Sequence, residues 1–283
     1  MSGISRRHFG RTVAAALTSR AGAAIAPLTA GQAIERIVQK LAAEGVERRA
    51  KTTDTIKVGD AATPVTGIAT TFQATFAMLK KAAAAKTNLV LSHESLFWGD
   101  GVNRAPGLTD DPVYRAKRQF AEKNGIVVWR FHDGWHGRKP DPIFAALTRQ
   151  LGWERYFRPA PDGDTAGRSA YELPETTLAA VARHVRERLG TRNVRVVGNP
   201  RMAVRRVANS VHWLTACVPA LRTADAVLVG ETGELDTMEY VRDSNTLGMP
   251  KGLLVISHNM LEEWGMRPAV DWVAQLFPEL PVK

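Results

Sequence analysis

The sequence predicts an α/β protein: two α/β lobes with largely parallel sheets flanked by helices, and a metal cleft at the strand carboxyl ends. Two observations carry this. Short apolar runs of β type alternate with segments of helical period across short connections. Three of those runs also stop at histidines and carboxylates: Asn88–Glu94 (Asn-Leu-Val-Leu-Ser-His-Glu), Gly125–His136, and Leu253–Glu262 (Leu-Leu-Val-Ile-Ser-His-Asn-Met-Leu-Glu). Ligands in open α/β sheets bind outside the carboxyl ends of the strands, so three such endings describe one site drawn from distant parts of the chain. Imidazole and carboxylate donors together suit a metal ion.

The elements follow in order. Apolar residues at helical spacing (Ile34, Ile37, Val38, Leu41) predict a helix over Ala33–Glu44, closed near Gly45. Thr55–Val58 and Val65–Thr70 read as strands, Phe72–Lys86 as a helix, and Asn88–Ser92 as the next strand. Asp111-Pro112 is a helix start, an N-cap followed by proline at the first helical position, and Gly125 closes that helix. Asp141-Pro142 repeats the device and opens a helix to Leu151. Pro159–Gly167 is a loop, and Leu173–Leu189 reads as a helix. Val194–Gly198, Val204–Val211 and Ala226–Gly230 read as strands, Met238–Leu247 as a helix, and Leu253–Ser257 as the last strand. A short helix carrying Glu262 and a final one near Ala269–Phe277 complete the chain. The lobes expected are residues 34–155 and 195–283, joined by 156–194.

The chain of 283 residues is long enough to bury a proper core, and 45% hydrophobic with 23% charged residues is ordinary for a globular protein. The single cysteine, Cys217, excludes an intramolecular disulfide and reads as a small buried side chain. The net charge of +10 is partly local, because Met1–Ala33 holds Arg6, Arg7, Arg11 and Arg20 and no acid. The remaining basic residues form no aromatic-interleaved patch and no recognisable nucleic-acid motif. Ser5-Arg6-Arg7-His8-Phe9-Gly10-Arg11 is similar to a twin-arginine export signal, with small residues suited to cleavage at Leu28-Thr29-Ala30 or Gly31-Gln32-Ala33. The expectation is a signal peptide over 1–33 and an exported, periplasmic protein with no membrane span in its mature form. The other reading is a basic tail on a cytoplasmic protein.

His258 and Glu262 are four apart at a helix start and share a face, so one ion can take both. His93 and Glu94 are adjacent and point to opposite sides of an extended backbone, which suits two metals or a ligand with a supporting neighbour. The bland alternative has His93 capping the strand end and Glu94 facing water. His132 and His136 are again four apart, with Asp133 between them, although Gly134 argues against a regular helix there. Glu231 and Glu234 follow the fourth apolar run, and Glu234 is equally explained by a helix amino terminus. Trp135, inside the histidine cluster, is a candidate wall for a planar substrate.

Val65–Trp98, Phe131-His-Asp-Gly-Trp-His136, Val229-Gly-Glu231 and Ser257-His-Asn-Met-Leu-Glu-Glu-Trp-Gly-Met266 resemble, in order, the dinuclear metal centre hexameric proteins. These are the NGG-interacting factor three-like family, often labelled GTP cyclohydrolase 1 type 2. The resemblance implies two lobes, a homohexamer, and two divalent ions per chain (zinc, manganese, iron or cobalt) between the lobes. Carried over by position, His93 matches the first histidine of the family's His-His pair, and Glu94 stands at the second. His136 falls where many members have a bridging aspartate, and His258 and Glu262 match the closing His-x-x-x-Glu. The reading is a dinuclear metal-dependent hydrolase with a small-molecule substrate. Asp133 or Glu231 would move protons, because an unligated carboxylate beside an activated water is placed for general base work. The rival is a non-enzymatic metal-binding or regulatory assembly protein.

Overall fold

The computed structural model describes residues 27–98, 107–159 and 169–283. The arginine pair, most of the expected signal peptide, Asp100 and most of the Pro159–Gly167 loop lie outside the described residues.

Helix α1 (Ala30–Ala43) opens the fold, three residues earlier than its periodicity suggests. Thr29 and Gln32 form a reciprocal capping box that satisfies two amino-terminal N–H groups. Ala30 and Ala33 are completely buried, and Ala30 N–H and Gly31 N–H donate to Thr63 and Ala61. Both small-residue stretches suggested for signal cleavage thus overlap the first turn of a packed helix.

The first sheet holds β1 (Ile56–Val58), β2 (Ile68–Gln73), β3 (Leu89–Glu94) and β4 (Val127–Arg130) in the order β1-β4-β3-β2. Helix α2 (Phe76–Ala84) connects β2 to β3, and α3 (Pro112–Lys123) connects β3 to β4. Those three strands are parallel, while β1 is antiparallel to β4. Asp111 caps α3 with Pro112 in its first turn, as the sequence predicts. After β4 the chain makes the single turn α4 (Asp133–His136) and then α5 (Pro142–Leu151), capped by Asp141.

The second sheet runs β5-β6-β8-β9-β10-β7. It comprises β5 (Phe157–Arg158), β6 (Ala170–Thr177), β7 (Arg195–Val197), β8 (Ala203–Ser210), β9 (Ala226–Val229) and β10 (Gly252–Val255). Helix α6 (Leu178–Leu189) follows β6, α7 (Leu214–Thr223) links β8 to β9, and α8 (Glu239–Thr246) links β9 to β10. Strands β8, β9 and β10 are parallel, and the outer pairings are antiparallel. Both sheets are mixed, each built on a parallel trio: the first is largely parallel as expected, with β1 alone antiparallel, and the second adds antiparallel pairings at both edges. The helix expected over Leu173–Leu189 starts only at Leu178, because residues 170–177 pair with β8 and Thr177 becomes the helix cap. Residues 156–194, expected as a joining segment, supply β5, β6 and α6 to the second lobe.

After β10 come α9 (His258–Glu262), a 3-10 turn over Glu263–Met266, and α10 (Arg267–Leu276). The chain then returns to the first sheet. Ile68 N–H donates to Pro281, and Thr70 N–H donates to Lys283. One contiguous apolar cluster, from Ile37 and Trp129 through Val207 and Leu254 to Phe277, runs between the sheets. It brings the carboxyl ends of the two parallel trios face to face.

Candidate metal centre

Five of the chain's seven histidines gather where the trios meet. His93, His132, His212 and His258 each stand at or just past the end of a strand, and His136 closes the turn α4 that follows β4. His93 is the penultimate residue of β3 and is completely buried. Its Nδ1 donates to the Phe131 carbonyl at 3.3 Å, which leaves the lone pair on Nε2. That nitrogen lies 3.2 Å from Glu262 Oε2 but outside hydrogen-bond geometry, so it has no hydrogen-bond partner among the described residues. Burial pushes the His93 ring down, against the pull of Glu262.

His132 and His136 are fixed in the same way. His132 Nδ1 lies 3.0 Å from Asp133 Oδ1, and His136 Nδ1 lies 2.7 Å from Asp141 Oδ2. Burial disfavours charge on His136, but Asp141 outweighs it and raises the ring. Ring centroids of the three histidines stand 4.6 to 4.9 Å apart, and one ligand atom from each falls within 4.8 Å of the others. With each Nδ1 held by an acceptor, the three Nε2 atoms remain as donors. This is how histidine ligands are ordinarily oriented.

Glu262 is 2% exposed and sits at the centre of the second half. Its Oε2 is 2.9 Å from His258 Nε2. Burial alone would raise this carboxyl, yet His258 and His93 hold it well below the usual carboxylate range. His258 Nδ1 lies 3.0 Å from Glu231 Oε1. Burial acts against the charge on His258, but Glu262 and Glu231 raise it to about 9. Glu94 and its neighbour His93 both reach the cluster, with His93, Glu94 and Glu262 forming a second compact donor set. Arg130, the last residue of β4 and 9% exposed, explains the aim of Glu94. Its Nη2 donates to Glu94 Oε2 at 2.9 Å and its Nε to the His93 carbonyl. Oε1 is left facing His132 and His258 at 3.7 and 3.8 Å.

Asp133 has a different place from the one its sequence suggests. Its Oδ2 accepts from the Thr52 hydroxyl and Thr53 N–H, and its Oδ1 from His132. His132 holds its carboxyl far below the ordinary range, against partial burial. Both oxygens are engaged, so it orients His132 and braces the 52–53 loop. Trp135 is fully buried, donates to Gly265 and forms part of the core, not a pocket wall. Glu234 pairs with Arg195 at the surface. The cluster opens into a cleft of about 810 Å³ lined on one side by Phe72, Phe97 and Trp98. Phe72 lies against His258, with centroids 5.4 Å apart.

Sequence reasoning passed over His212, Asp54, Arg130 and the second oxygen of Asp141. His212 had a signal: it follows the strand expected over Val204–Val211, as His93 and His258 follow theirs.

The family model Duf34/NIF3 (NGG1p interacting factor 3) matches residues 29–282. The chain belongs to the Duf34/NIF3 family. Solved structures share the fold of this Duf34/NIF3 protein. Staphylococcus aureus protein SA1388 is 16% identical, with TM-score 0.66, covering 91% of this chain and 96% of that one. A Bacillus cereus protein related to NIF3 is 13% identical, with TM-score 0.66 and coverage of 90% and 95%. Reduced HcgD from Methanocaldococcus jannaschii is 14% identical, with TM-score 0.64 and coverage of 90% and 96%. No curated protein matches the chain.

Proposed function

We propose that this Duf34/NIF3 chain holds two divalent metal ions in the cleft and hydrolyses a small-molecule substrate there. The observation that carries the reading is the fixing of three histidines through Nδ1, with a buried, partnerless His93 Nε2 among the donors. An imidazole nitrogen buried without a hydrogen-bond partner is costly unless something else takes its lone pair. His93, Glu94, His136, His258 and Glu262 are the ligands on this reading, and the geometry adds His132. Zinc, manganese, iron and cobalt all suit the donor set. Ions bound there would supply Lewis-acid polarisation and a lowered pKa for water.

The chain's own groups do the rest. Glu231 is 45% exposed at its side chain and lines the cleft, so it is the carboxylate able to take up a proton. Asp133 is spoken for by His132 and the 52–53 loop. Arg130 keeps Glu94 aimed inwards. Phe72 and Trp98 present apolar faces to a planar substrate, which agrees with the purine nucleotide implied by the cyclohydrolase label.

Metal analysis of the chain purified without chelator should give two ions in this cluster. Chelation should abolish turnover of a nucleotide and phosphoester panel, and re-addition of cobalt or manganese should restore it. Tight metal with no turnover on any of these would favour the non-enzymatic assembly protein instead.

A hexamer and export by the twin-arginine route belong to the same reading. Changing Arg6 and Arg7 to lysine should trap the precursor in the cytoplasm, because the arginine pair is the part that the receptor reads. Unaltered periplasmic delivery would rule this route out. Cleavage before Leu28 would leave the α1 cap intact.

A further inference from the structure

His212 belongs to none of the donor sets used above. It lies two residues past the end of β8, and its Nδ1 is buried with no hydrogen-bond partner among the described residues. That nitrogen stands 3.5 Å from Glu231 Oε2. The other oxygen of Glu231 is 3.0 Å from His258 Nδ1, and donor atoms of all three residues lie within 4.8 Å of one another. The residues come from the ends of β8, β9 and β10, so the second parallel trio delivers a cluster as the first one does.

The backbone supports this convergence. Trp213 (φ 35°) and Ser257 (φ 103°) are non-glycine residues in the left-handed region, and each adjoins one of the two histidines. Such conformations persist where the surroundings over-determine them, often at ligand clamps. Gly230 lets the strand ends close: a Cβ there would meet His258 Cα at 2.8 Å. Glu231 Oε2 thus faces a buried imidazole nitrogen that makes no hydrogen bond among the described residues, 3.5 Å away.

We propose that His212, Glu231 and His258 form a separate site for one divalent transition-metal ion at the mouth of the cleft. Two imidazoles and one carboxylate select the zinc and cobalt class over magnesium or calcium, which prefer oxygen donors throughout. His212 binds through Nδ1 and Glu231 through a carboxylate oxygen. His258 binds through its own Nδ1, whose proton passes to solvent as the ion enters. With Nδ1 on the outer ion and Nε2 on an inner one, the His258 ring gives up both ring protons to solvent and joins the outer site to the inner cluster as a bridging imidazolate. With the outer ion bound, Glu231 is a ligand and no longer a proton acceptor.

Titration of the full-length metal-free chain with Co²⁺, followed by its visible absorption and by ion counts after dialysis, tests this. The wild type should take up one more ion per chain than His212→Ala, and that last ion should bind at least tenfold more weakly in His212→Gln. Circular dichroism and thermal melting establish that each variant is folded, and the glutamine variant serves if the alanine one is not. Equal stoichiometry and equal affinity in wild type and folded variants would overturn the outer site. The inference is separable from the hydrolase reading. Glu262→Gln should deplete the inner ions and spare the one that depends on His212, whereas loss of inner ions alone leaves the outer site standing.

Discussion

Glu262→Gln is expected to lower inner-site metal affinity by more than the ~10–100-fold that losing an outer partner of a ligand costs. The substitution keeps the shape of a side chain that is 2% exposed and reaches both His93 Nε2 and His258 Nε2. It removes the negative charge that offsets two cations, and an uncompensated buried charge is strongly unfavourable. Metal bound at the inner cluster, measured after dialysis, should fall towards one ion or none per chain, and hydrolysis should fall with it. A second readout needs no metal. Burial pulls His258 down, but its carboxylate neighbours raise it to about 9 from a reference of 6.5. A raised histidine stabilises the fold fully below 6.5 and loses that contribution as the pH climbs through about 9. The Tm of chelated wild-type protein should therefore fall over that window, and Glu262→Gln should flatten the fall. Glu262 itself acts in the opposite sense. Burial raises it, the histidines more than reverse this, and its contribution disappears as the pH drops below the ordinary carboxylate range. Unchanged metal content together with an unchanged alkaline slope would remove Glu262 from the site.

Much of this arrangement is legible in the chain because it is local. An apolar run that stops at histidine is visible in sequence, and Asn88–Glu94, Gly125–His136 and Leu253–Glu262 all end in one cleft. The caps at Asp111 and Asp141 are equally local, a carboxylate followed by proline in the first turn. What escapes is whatever depends on a second partner far along the chain. Asp141 reads as a cap and is one through Oδ1, while Oδ2 fixes His136. Asp133 reads as a free acid, and only the Thr52–Thr53 loop, about eighty residues earlier, shows it to be engaged. Arg130 is an arginine closing a strand, where nothing in the sequence says that it meets Glu94. Residues 170–177 have helical neighbours but pair with β8, because a long-range ladder overrides weak local preference. The edges of both trios turn antiparallel for the same reason: the pairing of an outer strand is decided by tertiary packing, not by its own residues.

Asp54→Ala is expected to do the most damage of any change outside the donors. Asp54 Oδ1 accepts from His132 N–H at 2.9 Å and Asp133 N–H at 2.8 Å, and Oδ2 accepts from Gly134 N–H at 2.8 Å. These N–H groups lead into α4, a turn too short to satisfy them internally. Each partly buried N–H left without an acceptor costs ~1–3 kcal/mol before water recovers some of it. A total of ~2–4 kcal/mol is therefore expected for the loss of all three bonds. Gly134 shows how closely the carboxylate is seated, since a Cβ there would meet Asp54 Oδ2 at 3.0 Å and Leu41 at 2.8 Å. The effect should reach the metal, because α4 carries His136 and His132 immediately precedes it. Asn keeps one acceptor oxygen and should fall between wild type and Ala, both in denaturant midpoint and in cobalt affinity. A cavity effect alone would give a different pattern, with stability lowered in Ala only and affinity unchanged in both. If Asp54→Ala shifts neither the midpoint nor the affinity, the turn holds its own shape, and the orientation of His132 and His136 has another source.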